Sequence, residues 1–121
     1  MTPQFSRGVS RSGSFISHRQ QVSPERIEAA FGSMNGWEKR SIKFTARDKV
    51  RLRFSCQLLA GELSIELTGP DGRMLIHWGD KPSSVDDFTA PASGKYEIRT
   101  TGNRASGSYK LEMDPNGYQQ T

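Results

Sequence analysis

Apolar and polar residues alternate along most of the chain from Ile42 to Met113. The clearest run is Lys49 to Leu58, where every second residue from Val50 onward is apolar and the residues between them are polar. Successive side chains of a β-strand point to opposite faces, so this period of two predicts strands with one buried and one solvated face.

Turn-forming sequences mark the expected ends of the strands. They are Asn35-Gly36, Arg47-Asp48, Ala60-Gly61, Gly69-Pro70-Asp71-Gly72 and Pro91-Ala92-Ser93-Gly94. Glycine and asparagine tolerate positive φ, and proline fixes φ at the second position of a turn. Segments 79–84 and 101–107 are predicted to be polar loops. About seven or eight short strands at this spacing predict an all-β fold, an antiparallel β-sandwich of jelly-roll type.

The inward positions of these runs form the predicted hydrophobic core: Ile42, Phe44, Val50, Leu52, Phe54, Leu63, Ile65, Leu67, Tyr96, Ile98, Tyr109 and Leu111. Cys56 and Leu58 continue the inward side of their strand. Cys56 is the single cysteine, so a disulfide within the chain is excluded, and we expect it to be a small buried apolar residue. The weaker run from Val85 to Ala90 is predicted to be an edge strand.

Residues 1–24 lack this pattern. They are rich in serine, arginine, glutamine and glycine, and their few apolar residues follow no period, which predicts a flexible basic tail that is disordered in isolation. Residues 25–114 are predicted to form one β-sandwich domain, and residues 115–121 a frayed C-terminus. The stretch from Ser23 to Phe31 is expected to enter the sandwich as a short strand or turn, with a short helix as the alternative.

The chain carries 17 basic and 13 acidic residues, a net charge of +4. Three of the arginines lie in the tail and the rest of the chain is nearly neutral, so the basic composition does not by itself predict nucleic-acid binding. No apolar run approaches the roughly 18 residues of a transmembrane helix, and no secretory signal is expected from the N-terminal residues. Composition alone therefore assigns no location.

Basic residues are concentrated in the second quarter of the chain. Lys43, Arg51 and Arg53 are expected to share the solvent face of neighbouring strands, where they could bind an anionic polymer such as nucleic acid, teichoic acid or a sulfated glycan. The alternative is cross-strand pairing with acids, because a hairpin at Ala60-Gly61 would place Arg53 diagonal to Glu66. No aromatic residue is interleaved on that face, which argues against nucleic acid as the partner.

Trp37 and Trp78 are the remaining candidates for ligand contact. Trp37 follows the Asn35-Gly36 turn, and Trp78 ends a strand before a Gly-Asp-Lys-Pro loop. Exposed aromatic rings beside polar loops can stack on sugars, whereas buried rings would close the ends of the sandwich. The candidate ligand-binding residues are therefore Trp37, Trp78, Lys43, Arg51 and Arg53.

The sequence contains no recognisable catalytic set. His18 and His77 are its two histidines, no serine lies in a Gly-x-Ser-x-Gly motif, and segment 102–107 lacks the Lys-Ser/Thr of a P-loop. We therefore predict no catalytic activity, no cofactor and no metal. Calcium in acidic loops is the open alternative, although the spacing matches no EF-hand. The acidic residues concerned are Asp71, Asp80, Asp86 and Asp87.

Several turn and strand motifs follow one another along residues 35–113. They are Asn35-Gly36, the basic alternating strand, Leu63-Ser64-Ile65-Glu66-Leu67, Gly69-Pro70-Asp71-Gly72, Ser93-Gly94-Lys95-Tyr96-Glu97-Ile98 and Gly107-Ser108-Tyr109-Lys110-Leu111. In this order the chain resembles the β-sandwich domains of bacterial envelope proteins, of the pre-peptidase C-terminal type and of small Gram-positive lipoproteins. The resemblance implies a non-catalytic module outside the cytoplasm, in some relatives attached to a hydrolase. The chain differs in lacking a lipobox cysteine.

These observations together predict a monomeric, non-catalytic binding or accessory module for a polysaccharide or a cell-envelope component. The location that the resemblance implies is extracellular or at the bacterial cell envelope. The alternative is a structural or protein-interaction domain that docks a partner through an edge strand or through the basic tail.

Overall fold

Seven antiparallel strands make up nearly all of the computed structural model, which describes residues 5–16, 18–23, 25–78 and 83–114. The strands are β1 (Phe5–Ile16), β2 (Arg19–Ser23), β3 (Arg26–Phe44), β4 (Lys49–Thr68), β5 (Met74–Trp78), β6 (Ser83–Thr89) and β7 (Gly94–Asp114). No helix occurs in the described residues, so none there is long and apolar enough to cross a membrane. The predicted all-β sandwich is confirmed.

Three long strands are shared between the two layers of the sandwich. Layer 1 contains, in order, β1, residues 34–44 of β3, 94–102 of β7 and 62–68 of β4, and then β5. Layer 2 contains β2, residues 26–31 of β3, 106–114 of β7 and 49–58 of β4, and then β6. Because β3, β4 and β7 run through both layers, hydrogen-bonded pairing is continuous around the fold.

The long strands cross between layers at bends rather than at hairpin turns. Register shifts occur at residues 31–36 of β3 and at residues 58–62 of β4, where Gly61 has a φ of 78°. In β7 the crossing includes Arg104, with a φ of 52°. The predicted turns at Asn35-Gly36 and Ala60-Gly61 and the predicted loop at 101–107 are therefore wrong. Bulges and turns both use residues that accept positive φ, so the same residues mark either one.

Other predicted connections are confirmed. The Gly72 N–H donates to the Gly69 carbonyl oxygen at 3.0 Å in one turn, and the Asp48 N–H donates to the Thr45 carbonyl oxygen at 2.9 Å in another. Strand β6 pairs with β4 alone among the described strands, as expected of an edge strand. β3 begins at Arg26, so the entry into the sandwich is a strand and not a helix.

The hydrophobic core lies between the two layers. All twelve core residues predicted from the alternation are buried. Aromatic contacts join the layers: the Phe44 and Phe88 ring centroids are 5.4 Å apart, and those of Phe54 and Trp78 are 5.9 Å apart. Leu58 is an exception, because it lies at the bend of β4 and is 38% exposed.

The N-terminal residues form part of the sandwich. β1 pairs with β3 along the edge of layer 1, and β2 pairs with the other end of β3 in layer 2. The prediction of a flexible tail is therefore wrong for residues 5–16 and 19–23. Two of their polar side chains, Arg11 and Gln20, donate hydrogen bonds to the buried carboxylate of Glu38, so polar residues occupy positions where apolar ones were expected of a strand. The predicted frayed C-terminus, 115–121, lies outside the described residues.

Candidate functional site

The structure divides the five candidate ligand residues among three places. Trp37 and Lys43 lie on the outer face of layer 1, and Arg51 and Arg53 lie on the outer face of layer 2. Trp78 lies inside the sandwich. The prediction that Lys43 shares a face with the two arginines is wrong, because β3 has already crossed into layer 1 before Lys43, whereas β4 begins in layer 2.

Trp78 is a core residue. Its side chain is 0% exposed and stacks on Phe54 at an interplanar angle of 23°. The indole Nε1 donates a hydrogen bond to Oδ2 of Asp86 at 2.8 Å, and the Ser84 hydroxyl donates to the same oxygen at 2.9 Å. Of the two interpretations of this tryptophan, the structure shows the buried one, and Trp78 is not placed to stack on a ligand.

Arg51 and Arg53 each face an acid of a neighbouring strand. Arg51 Nε donates to Oδ1 of Asp87 at 2.7 Å, and this guanidinium lowers the pKa of the Asp87 carboxyl. Arg53 Nη1 lies 3.8 Å from Oδ2 of Asp114. Cross-strand pairing was the alternative interpretation of these arginines, and the structure shows it with other partners than Glu66.

The outer face of layer 1 presents a row of polar side chains beside Trp37. Ser12 of β1 and Thr101 of β7 are its direct neighbours on either side, and Ser64 of β4 lies opposite Thr101. The row ends at β5, where Nε2 of His77 is 2.9 Å from the Ser64 hydroxyl oxygen. We call the outer face around this row the Trp37 face. It combines a half-buried indole with hydroxyl and imidazole groups on four other strands.

Two basic side chains lie within 6 Å of the centroid of the Trp37 ring. Lys39 Nζ lies 4.8 Å from the ring centroid, and Arg99 Cζ lies 5.6 Å from it. Cation–π attraction holds these groups close to the indole. Arg99, Thr101, Ser64 and His77 were missed by sequence reasoning. Arg99 follows Ile98, which was predicted to face inward, so the alternation is compatible with an outward Arg99; only the register of β3 against β7 shows that it meets Lys39 and Trp37.

The outer face of layer 2 contains a shallow groove of about 460 Å³. Its floor consists of small side chains, among them Ala30, Ser55 and Ser108, and longer polar side chains such as Gln21 and Lys110 line it as well. We call this feature the layer 2 groove. Its residues come from β2, β3, β4 and β7, and no sequence motif indicated it.

A cluster of charged and polar side chains is buried between the edge strands. Glu38 and Arg40 have side chains that are 5% and 3% exposed, and Glu38 Oε1 lies 3.7 Å from Arg40 Nη2. Glu38 also accepts hydrogen bonds from Arg11 Nε at 2.8 Å and from Gln20 Nε2 at 2.5 Å. Burial lowers the pKa of His18, whose Nε2 lies 3.7 Å from Glu38 Oε2. Since these groups satisfy one another, the cluster attaches β1 and β2 to the core.

The aspartates considered for calcium serve other purposes where the structure describes them. Asp71 accepts the backbone N–H of Arg73 at 3.0 Å, while Asp86 and Asp87 bind Trp78 and Arg51 as described above. Asp80 lies outside the described residues. Within the described ranges no group of three or more histidine, cysteine, aspartate or glutamate residues could hold a metal ion.

Comparison with known proteins identifies no family. No protein-family model matches the chain, and no curated protein matches it. Among solved structures it is similar to the enzymatically active domain of tailspike protein 4 of bacteriophage CBA120, with a TM-score of 0.50, 9% identity and coverage of 92% of this chain but 19% of that one. It is also similar to the carbohydrate-binding module CBM6cm-2 of Cellvibrio mixtus lichenase 5A, solved with cellotriose, with a TM-score of 0.48, 8% identity and coverage of 93% and 95%.

A third solved structure is the CBM22-1 xylan-binding domain of Paenibacillus barcinonensis Xyn10C, with a TM-score of 0.43, 12% identity and coverage of 93% and 90%. At 9% identity, the match to the tailspike protein shows a likeness of fold alone. The comparisons therefore show that the fold of this chain is similar to part of a phage tailspike protein.

Proposed function

We propose that this protein is a non-catalytic module that binds a polysaccharide on the Trp37 face. The observation that carries the proposal is the position of Trp37, a half-buried indole in line with hydroxyl and imidazole groups on an open sheet surface. Sugar rings have an apolar C–H face and a polar rim. An indole can pack on the C–H face, and side chains such as Ser64, Thr101 and His77 can hydrogen-bond to the polar rim.

A binding role fits this face better than a catalytic one. Glycoside hydrolysis generally uses two carboxyl groups that stand on either side of the scissile bond. The acids on the outer face of layer 1 are Glu62, Glu66 and Glu97. Glu66 is opposite Arg99, and Glu97 Oε1 is 3.9 Å from Lys39 Nζ. Glu66 and Glu97 therefore each have a basic residue as a neighbour on the adjoining strand.

Isothermal titration calorimetry with a panel of soluble polysaccharides tests the proposal. We expect Trp37→Ala to lower the affinity for the bound polysaccharide by about tenfold or more while the circular dichroism spectrum stays unchanged. Ser108→Gln, which would fill the floor of the layer 2 groove, is the control for the other face and should bind as the natural protein does. A folded protein that binds no polysaccharide, or binding that only Ser108→Gln weakens, would contradict the proposal.

The second candidate function is a protein-interaction domain that uses β6 as an edge strand. Val85 in the middle of β6 is 61% exposed, and β6 has its one described pairing with β4. An edge of this kind can accept a strand from a partner. Val85→Lys should abolish binding of such a partner without changing polysaccharide affinity. The form of this hypothesis that uses a flexible tail is not retained, because residues 5–16 and 19–23 belong to the sandwich.

An envelope location and kinship with pre-peptidase C-terminal domains stay part of the proposal. They rest on the resemblance of residues 35–113 alone. The complete gene and its neighbours would test them, since a hydrolase domain in the same reading frame or in the next gene is the expected association.

A further inference from the structure

Basic residues stand directly opposite one another on the Trp37 face. In the pairing of β3 with β7, Lys39 is opposite Arg99 and Lys43 is opposite Lys95. Like charges at directly opposed positions destabilise a sheet. Between these pairs, Ser41 is opposite Glu97. The outward side chains of this part of the two strands therefore carry four positive charges and one negative charge.

The acids nearby neutralise this charge only in part. Glu97 Oε1 lies 3.9 Å from Lys39 Nζ, and Glu66 is opposite Arg99 on the β4 side. Lys43, Lys95 and Arg99 form no ion pair with any residue in the described ranges. The Nε atom of Arg99 is buried and has no hydrogen-bond partner there. A buried donor without a partner costs free energy.

The indole of Trp37 places two of these cations beside a surface suited to a sugar ring. Lys39 and Arg99 are held near it by cation–π contacts, and Lys43 lies four residues further along β3, about 13 Å away at the rise of a β-strand. A polymer that lies along β3 and β7 from Trp37 would therefore meet two pairs of cations in succession. Groups of negative charge repeated along a carbohydrate chain match this arrangement.

We infer that the ligand is an acidic polysaccharide, whose carboxylate or sulfate groups bind the Lys39–Arg99 and Lys43–Lys95 pairs while a sugar ring packs on Trp37. This inference rests on the proposed function and specifies its ligand class. The bound anions offset the repulsion within each pair, so binding relieves a cost that the unbound protein carries. Nucleic acid fits less well, because Trp37 is a single aromatic side chain among these pairs and base stacking usually repeats along a strand.

Matched pairs of polymers test the inference, since each pair keeps the backbone and changes the charge. Polygalacturonate is compared with its methyl ester, and dextran sulfate with dextran, by titration at low and at moderate salt. We expect the acidic member to bind about tenfold or more tightly than the neutral one, with an affinity that falls as salt rises. The two pairs also separate carboxylate from sulfate recognition.

Lys43→Gln and Lys95→Gln provide the variants. Each should lower the affinity for the acidic polymer about tenfold and leave that for a neutral one unchanged. Without ligand, each should raise the melting temperature by about 1–4 °C, because a like-charge pair is removed, which also shows that the variant folds. Lys110→Gln, the same change on the outer face of layer 2, is the control and should keep the natural affinity.

The outcomes separate this inference from the proposed function. Equal binding of the neutral and acidic members, abolished by Trp37→Ala, would overturn the charge inference and keep the polysaccharide-binding function. Tighter binding of oligothymidylate than of any acidic polysaccharide would assign the face to nucleic acid and overturn the inference. The same loss in Lys110→Gln as in Lys43→Gln would also overturn it, since the face would not be specific. No polysaccharide binding at all would remove the function as well.

Discussion

Replacing Glu38 by leucine should destabilise the protein more than any change to a surface acid. The Glu38 carboxylate is buried and accepts hydrogen bonds from Arg11 Nε and Gln20 Nε2, and it lies 3.7 Å from a guanidinium nitrogen of the equally buried Arg40. Glu38→Leu removes the carboxylate beside the Arg40 guanidinium, which has little access to water. Breaking a buried ion pair on one side costs about 3–5 kcal/mol, a large part of a typical unfolding free energy of about 5–15 kcal/mol.

The contacts also predict an asymmetry between the two partners. Arg40→Met leaves Glu38 with Arg11, whose Nε is 2.8 Å from the carboxylate, so this change should cost less, about 1–3 kcal/mol. The double variant Glu38→Leu/Arg40→Met removes both charges and keeps apolar volume between the layers. It should be more stable than Glu38→Leu alone, which means that the two effects are not additive.

Equilibrium unfolding in urea, followed by tryptophan fluorescence, measures these differences. Glu97→Leu is the matched control, because Glu97 is 45% exposed and lies 3.9 Å from Lys39, so its loss should cost less than about 1 kcal/mol. In thermal unfolding, the same loss for Glu38→Leu should lower the melting temperature by about 12–20 °C. A loss no greater than that of Glu97→Leu, or a double variant whose cost equals the sum of the single costs, would refute the reasoning.

Two further predictions concern the N-terminal strands. Gly13→Ala should lower the melting temperature clearly more than Gly72→Ala. Both glycines have positive φ, but of the two only Gly13 would bring a Cβ into overlap with backbone, namely the Asn35 carbonyl oxygen. Equal effects in thermal unfolding would mean that β1 does not pack on β3. Acidification from about pH 7.5 to about pH 5.5 should destabilise the natural protein more than His18→Gln. Burial lowers the folded-state pKa of His18 below its ordinary value, so the associated stability is present above the unfolded pKa and is lost as the pH falls. Parallel melting curves of the two proteins across that range would contradict this.

The core could be predicted from the sequence because burial on one face leaves a period of two. Val50, Leu52 and Phe54 are buried as the alternation requires. The path of the strands could not be predicted in the same way. Gly36 and Gly61 carry the local signal of a turn, yet each lies inside a continuous strand, and whether such a residue reverses the chain or bends it depends on hydrogen bonds to strands far away in sequence.

The N-terminal strands were hidden for a related reason. Arg11 and Gln20 lie on positions that pair with a buried carboxylate, so β1 and β2 have no apolar alternation to detect. The candidate site was predicted in part: Trp37 was identified as an aromatic residue beside a predicted turn, and Lys43 as a basic residue on a solvated face. Arg99 and Lys95 could not be assigned to the same face before the register of β3 against β7 was known.

Because β3, β4 and β7 are shared between both layers, they determine how the protein unfolds. In a sandwich made of two separate sheets, one sheet can loosen while the other stays paired. Here neither layer can lose its central strands without also separating the same three strands in the other layer. We therefore expect the amides of all three to exchange with solvent in a single cooperative opening, and those of the edge strands β1, β2, β5 and β6 to exchange earlier. The order of assembly follows too. β3 and β7 must pair across about 50 or more intervening residues before either layer is complete, which makes folding slow relative to the protein's size.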